Sequence, residues 1–499
     1  MGARIDHLRR WSAYAPAVLG IALGAACCAA VVIELGMLGT KPLEYVEGCL
    51  LFDAARIRAH LPLYVDPLVG ALEYGPPASR YYVPYTPAYA AVASLVPAGA
   101  APVVLRAAGL GAWLALLVGL GARARPSGAE GDRVQGERRA AAWILAAYIA
   151  ASQDFLHYAA CARPDAAALV LAALALTRAL SRGRVDPLSA AIFVAAAILK
   201  PNVVGLGTGA ILADVARRRA RAAPAVATAL GIAAAWAAFS HWLSDGVWLV
   251  HLDRALALKV DASVFWFNVS SYALRAAPPV CAAAWAIRRA EPGDAKGIAR
   301  GAIAASAALT LIAVGKVGAA ANHWMELFTG SLVVVSRLPH GGADRARDAS
   351  RWVHGLGACA AIAAAVSAAE GLRVERDIVV REAAVIERTR ATCLGVPGRF
   401  VVSDDPGVEF MLDGRLMIHG LEFTKLIREH RFPVDGWLRD LESDAIACVL
   451  VTNLSRDVLE RPWSDERPAD RFPAEVRRAL AERFVLAEEQ AEWRIYRRR

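Results

Sequence analysis

Between residues 14 and 370 the chain repeats one pattern: an apolar stretch of Ala, Val, Leu and Gly, then a short polar break carrying arginine. In lipid such a stretch satisfies its backbone only as a helix, so the repeat restricts the chain to a bundle of membrane-crossing helices. With 57% hydrophobic residues over 499 positions and a mean hydropathy of +0.38, it is too apolar for a soluble enzyme of its size. The formal net charge of +9 does not imply nucleic acid, because the arginines sit in clusters between apolar segments, the pattern that orients helices in a membrane.

Arg4, Arg9 and Arg10 precede the first apolar stretch and place the N-terminus in the cytoplasm. That stretch, 14–38, lacks a small-residue cleavage site and reads as a retained anchor. Further spans are expected at 102–122, 140–156, 164–181, 186–199, 203–216, 222–243, 268–288, 300–315, 324–337 and 352–370, eleven in all. Arg182 and Arg184, Arg217 to Arg221, Arg288 and Arg289, and Arg337 with Arg345 and Arg347 then share one side. Some spans, such as 186–199, are shorter than the roughly 20 residues of a straight crossing and are expected to end in protein or a wet cavity.

The expected fold class is therefore a polytopic α-helical membrane protein, a transmembrane unit over 1–370 followed by an extracytoplasmic α/β domain over 371–499. The polar region 40–101 falls on the outer side, with tyrosines and prolines alternating from Tyr81 to Pro87. It reads as a catalytic loop with helices lying on the bilayer and rings at the boundary. In the tail, helices are expected over 372–392 and 474–484, with strands at Arg399–Ser403, Ala445–Thr452, Phe484–Leu486 and Trp493–Tyr496. The eight cysteines form no CxxC or Cys/His cluster, so no metal site is expected; Cys393 and Cys448, both in the tail, leave a disulfide open.

Charge at the ends of apolar spans marks the candidate chemistry. Glu44 and Glu47 share one helix face; either could act as a general base or simply stabilise the start of a helix. Arg163-Pro164-Asp165 opens a span, and its guanidinium suits a phosphate, unless the pair only fixes the turn. Lys200-Pro201-Asn202 and Lys316, followed by Asn322 and Glu326, put ionisable groups at depth, where function is the default expectation and snorkelling the alternative. Three cations on the outer side near two carboxylates suit a phosphate carried on a lipid. Gly205-Leu-Gly207-Thr-Gly209 lacks the preceding strand of a phosphate loop, and Asp404-Asp405-Pro406-Gly407 reads as a turn.

Taken in order, Glu47-Gly48, Leu63-Tyr64-Val65-Asp66, the Tyr82 to Tyr89 run, Arg163-Pro-Asp165, Lys200-Pro-Asn202 and Lys316 with Asn322 and Glu326 resemble the GT-C class of glycosyltransferases over nearly the whole chain. The likeness is to the family 39-like group of protein O-mannosyltransferases and lipid A aminoarabinose transferases. It implies a bacterial inner-membrane enzyme that takes a sugar from a polyprenyl-phosphate donor and passes it, with inversion, to an extracytoplasmic glycan, lipid or protein. No cofactor is expected, with a divalent cation left open, and no nucleic-acid partner. In that group the base belongs to an adjacent Asp-Glu pair; here Val46-Glu47 stands in its place, so Glu47 is the expected base and Glu44 its substitute. Arg163, Lys200 and Lys316 would hold the donor phosphate, supported by Asp165, Asn202, Asn322, Glu326, Tyr82 and Tyr85. Two other readings stay open: a flippase or transporter of lipid-linked sugars, and an inactive envelope-assembly protein.

Overall fold

The computed structural model describes residues 23–73, 77–83, 85–122, 132–256, 260–316, 321–338, 355, 359–360, 364, 379–394, 399–452, 470–490 and 493–499. The helices up to residue 199 are α1 (Leu23–Met37), α2 (Tyr45–Arg58), α3 (Pro87–Ser94), α4 (Ala101–Ala122), α5 (Asp132–Ala151), α6 (Gln153–Ala159), α7 (Asp165–Arg182) and α8 (Pro187–Leu199). There follow α9 (Gly205–Arg218), α10 (Ala223–Leu243), α11 (Val247–Leu256), α12 (Ala262–Arg289), α13 (Asp294–Val314) and α14 (Met325–Arg337).

Three segments among the described residues are long and apolar enough to cross a membrane: Ala101–Ala122, Gly205–Leu243 and Asp294–Val314. The eleven expected spans are thus not matched one for one. The stretches 203–216 and 222–243 form α9 and α10, joined by a single 3-10 turn at Arg219–Ala222, and α8 is only 13 residues long. The expected span 352–370 lies largely outside the described residues.

Small side chains bring the helices together, as they do where lipid offers no hydrophobic drive for packing. At the crossing of α9 and α13, Gly209 and Gly301 face each other; a Cβ on Gly209 would strike the Gly301 backbone, and one on Gly301 would fall 2.6 Å from Ala213 Cβ. The glycine run at 205–209 therefore serves helix contact. A carboxylate completes it: Glu326 of α14 accepts the Leu206 amide at the start of α9 (2.9 Å) and the Ser306 hydroxyl of α13 (3.2 Å).

The tail carries α15 (379–393), α16 (Pro406–Asp413), α17 (Gly420–Arg428), α18 (Asp435–Glu442) and α19 (Ala474–Arg483) around one sheet. Its strands are β1 (Phe400–Ser403), β2 (Ile446–Val451), β3 (Phe484–Gln490) and β4 (Trp493–Arg498), in spatial order β1-β2-β4-β3. β1 and β2 run parallel, as a connection through three helices allows, while β3 and β4 form an antiparallel hairpin. Every residue of β2 is buried, which explains its uninterrupted Ile-Ala-Cys-Val-Leu-Val run. Cys448 on this strand is disulfide-bonded to Cys393 at the end of α15.

The tail docks on the 40–101 region. A Cβ on Gly48 of α2 would meet the Gly407 amide at 2.6 Å, so α2 and α16 touch backbone to backbone. Arg80 pairs with Ile418 in an isolated parallel bridge, and its guanidinium bonds Asp440 at 2.6 Å. Tyr81, Tyr82 and Tyr89 are buried in these contacts, so the tyrosines expected at the bilayer boundary are packing groups. Large exposed aromatics lie elsewhere, Phe239 and Trp242 at the end of α10 and Trp266 and Phe267 at the start of α12.

Because the Cys393–Cys448 link closes a long loop (sequence separation 55), Cys448→Ser is expected to destabilise the tail by about 2–5 kcal/mol. The check is a lower midpoint for chemical unfolding followed by tail tryptophan fluorescence, matched by wild type under reductant.

Candidate active site

α2 begins with a capping box: Glu44 accepts the Val46 amide at 2.8 Å and the Glu47 amide at 3.3 Å, while Glu47 accepts the Glu44 amide at 2.9 Å. The two carboxylates then part company. Glu47 is fully buried and forms a fork with Arg106 of α4, Nε to Oε1 at 2.8 Å and Nη2 to Oε2 at 2.7 Å. It also accepts the Ala162 amide at 2.5 Å. Burial pushes the carboxyl of Glu47 upward, but the bonds from Arg106, Ala162 and Glu44 outweigh it and hold the group below its ordinary range. The remaining guanidinium hydrogens of Arg106 go to the Leu38, Lys41 and Pro42 carbonyls. Arg106 escaped the sequence reading, although a lone arginine in an otherwise apolar span could have signalled a buried partner.

Glu44 points the other way. Its side chain is 22% exposed, and Oε1 accepts from Arg163 Nη1 at 3.1 Å. Arg163 Nε bonds Asp165 Oδ2 at 3.1 Å, and Lys200 Nζ bonds Asp165 Oδ1 at 2.5 Å. Asn322 donates to the same Asp165 oxygen at 3.3 Å. Rings cover the cations: Tyr158 lies 4.8 Å from the Arg163 guanidinium carbon and Tyr85 5.3 Å from Lys200 Nζ. Arg163, Asp165 and Lys200 are buried, while Glu44, Tyr85, Tyr158 and Asn322 are half-buried and line their open side.

The structure thus brings together Glu44, Arg163, Asp165, Lys200, Tyr85 and Asn322 from five separate stretches of chain. Asn202 stands beside this group with its amide 3.4 Å from His323. Lys316, whose backbone pairs with Val260, makes no ion pair in the cluster. Glu326 is used in capping α9, and Tyr82 in packing against Phe423. Among the described residues no group of three or more His, Cys, Asp or Glu side chains could hold a metal ion.

Two histidines fix the approach to Tyr85. The Tyr82 amide donates to Nδ1 of His419 (3.1 Å) and the Val83 amide to Nδ1 of His251 (3.0 Å), so both rings must be neutral there. His419 Nε2 then carries its hydrogen toward Cys49 Sγ, 3.3 Å away. Burial pushes the His419 imidazole down to about 4, against an opposing pull from Glu422.

No protein-family model matches the chain, and no curated protein sequence matches it. Among solved structures it is similar to ArnT from Cupriavidus metallidurans bound to undecaprenyl phosphate, with a TM-score of 0.56 and 13% identity over 95% of this chain and 97% of that one. The chain therefore shares that protein's overall fold over 95% of its length.

Removing one partner of the Glu47–Arg106 pair leaves a buried charge unpaired, so Glu47→Gln is expected to cost about 3–5 kcal/mol, read as a lower thermal midpoint. Glu44→Gln should lower that midpoint less, by the equivalent of about 0.5–2 kcal/mol for a weakened cap, since Arg163 keeps Asp165. A second expectation concerns acid. His419 binds protons less readily folded than unfolded, so its contribution is full above about pH 6.5 and is lost as pH falls toward 4. The protection factor of the Tyr82 amide, the intrinsic exchange rate divided by its observed rate at the same pH, should fall across that interval, and less steeply in His419→Asn.

Proposed function

We propose that this protein is a bacterial inner-membrane glycosyltransferase that moves a sugar from a polyprenyl-phosphate donor to an extracytoplasmic glycan, lipid or protein. The observation that carries the reading is Glu44, a half-buried carboxylate, held beside the two buried cations Arg163 and Lys200. The fold shared with a protein whose solved structure holds undecaprenyl phosphate supports the donor class.

In this reading Glu44 is the base. Its Oε2 is engaged by the helix amides, but Oε1 accepts only Arg163 and keeps a lone pair for an acceptor hydroxyl. Glu47 is a poorer candidate, since Arg106 and the Ala162 and Glu44 amides occupy its oxygens and no surface is left to a substrate. Arg163 and Lys200 would stabilise the charge that grows on the departing lipid phosphate, in a site where charge is poorly screened. Asp165 and Asn322 position them: Asp165 binds both cations at once and prevents each from swinging away. Lys316 would add a third positive charge at longer range. Inversion follows if the acceptor attacks from the Glu44 side while the phosphate leaves toward Arg163 and Lys200.

The test uses the full chain in lipid nanodiscs with radiolabelled polyprenyl-phosphate sugars and cell-envelope extract. Glu44→Gln is expected to lower release of polyprenyl phosphate by about 10²- to 10⁴-fold, the range of general-base assistance, with donor binding retained. Equal release by wild type and variant would move the base elsewhere. A wild type that binds donors and never cleaves them would replace this reading with that of a flippase or transporter of lipid-linked sugars.

A further inference from the structure

The face of the tail that meets α2 contains a second charged group, separate from the Arg163–Lys200 cluster. Along α17, Glu422, Lys425 and Arg428 recur every three residues and so share one side of the helix. Glu422 accepts the Tyr45 hydroxyl at 2.5 Å, which fixes that side against the start of α2, one residue from Glu44. Arg428 bonds Asp470 at 3.2 Å, and the neighbouring Arg471 lies over the Tyr45 ring at 5.1 Å. Lys425 therefore sits between two anchored residues, facing the segment that bears Arg471.

Every other charge in this group has partners. Arg471 donates to the Asp404 carbonyl at 2.7 Å and lies 3.6 Å from Asp405 and 3.9 Å from Asp404. Asp404 accepts the amide and hydroxyl of Thr452, and Asp405 caps α16 through the Gly407 amide at 2.9 Å. Among the described residues Lys425 makes neither a hydrogen bond nor an ion pair, although it is only 8% exposed. A buried cation with three unused donors costs free energy unless an acceptor completes it.

We propose that Lys425 and Arg471 form an oxyanion subsite on the tail, which takes a phosphate or carboxylate group of the acceptor and delivers its reacting end to Glu44. The assignment of the ligand to the acceptor rests on the transferase reading; the subsite itself does not. Glu422, Asp404 and Asp405 keep their negative charge and two of them pair with Arg471, so the oxyanion is held through the donors of Lys425 that no carboxylate among the described residues takes up. Tyr45 links the two centres, with its hydroxyl and ring in the subsite and its backbone beside Glu44.

The chain has six lysines, so the subsite can be read by competitive amine labelling of the full-length protein in zwitterionic nanodiscs, with each lysine quantified by mass spectrometry. Labelling of Lys425 is expected to slow severalfold with inorganic phosphate or with phosphatidic acid in the disc, relative to chloride at equal ionic strength, while Lys296 is unaffected. Protection by inorganic phosphate alone supports a water-soluble oxyanion, and protection by phosphatidic acid alone a lipid headgroup. No protection by either, or equal slowing at Lys296, overturns the proposal. This arm needs no turnover, so it stands or falls independently of the transferase reading. Where polyprenyl phosphate is released, Lys425→Met should raise the extract concentration for half-saturation severalfold at an unchanged maximal rate, and Lys425→Arg should restore it. Unchanged half-saturation in Lys425→Met would also overturn the assignment to the acceptor.

Discussion

One buried ion pair holds α2 to the helix bundle. Glu47 and Arg106 neutralise each other in a site without water access, and each uses its remaining capacity on backbone groups: Arg106 on the carbonyls that lead out of α1, Glu47 on the amide of Ala162. The same carboxylate therefore sets the distance between α2, α4 and the turn that carries Arg163. Because Glu44 and Glu47 cap one helix together, fixing Glu47 also aims Glu44. Two acids three residues apart divide the work, one anchored and one facing the cluster.

Much of the cluster was legible in the sequence, because ionisable residues at the ends of apolar segments are few and costly. Arg163, Asp165, Lys200 and Asn322 were read from that rule, and the other three all bond Asp165. The rule fails to distinguish a side chain that faces a ligand from one that serves a neighbour. Glu47 and Glu326 met the same criterion and turned out to be joined to Arg106 and to the start of α9. Only the partner decides, and the partner is remote in sequence.

The fold was legible to a similar depth. The strands around Val402 and Val449 followed from short buried apolar runs, and the two closing strands from the late runs at Phe484–Leu486 and Trp493–Tyr496. The number of crossings was not, because alanine-rich segments of 13 to 21 residues satisfy a hydropathy rule whether they span or merely pack. The tyrosines of the outer loop misled for a related reason. An aromatic ring suits the bilayer boundary and a protein interior equally well, and here the tail supplied the interior.

The site is assembled from parts that emerge from the ribosome far apart in time. Glu44 meets Arg163 after a separation of 119 residues, and Tyr45 meets Glu422 only after 377. At a synthesis rate of about 5–20 residues per second, the outer loop waits about 20 to 75 s for the tail segment that buries it. During that interval Tyr81, Tyr82 and Cys49 lack their covering partners from the tail. Biogenesis of this protein thus has an exposed stage that a protein built from local contacts avoids.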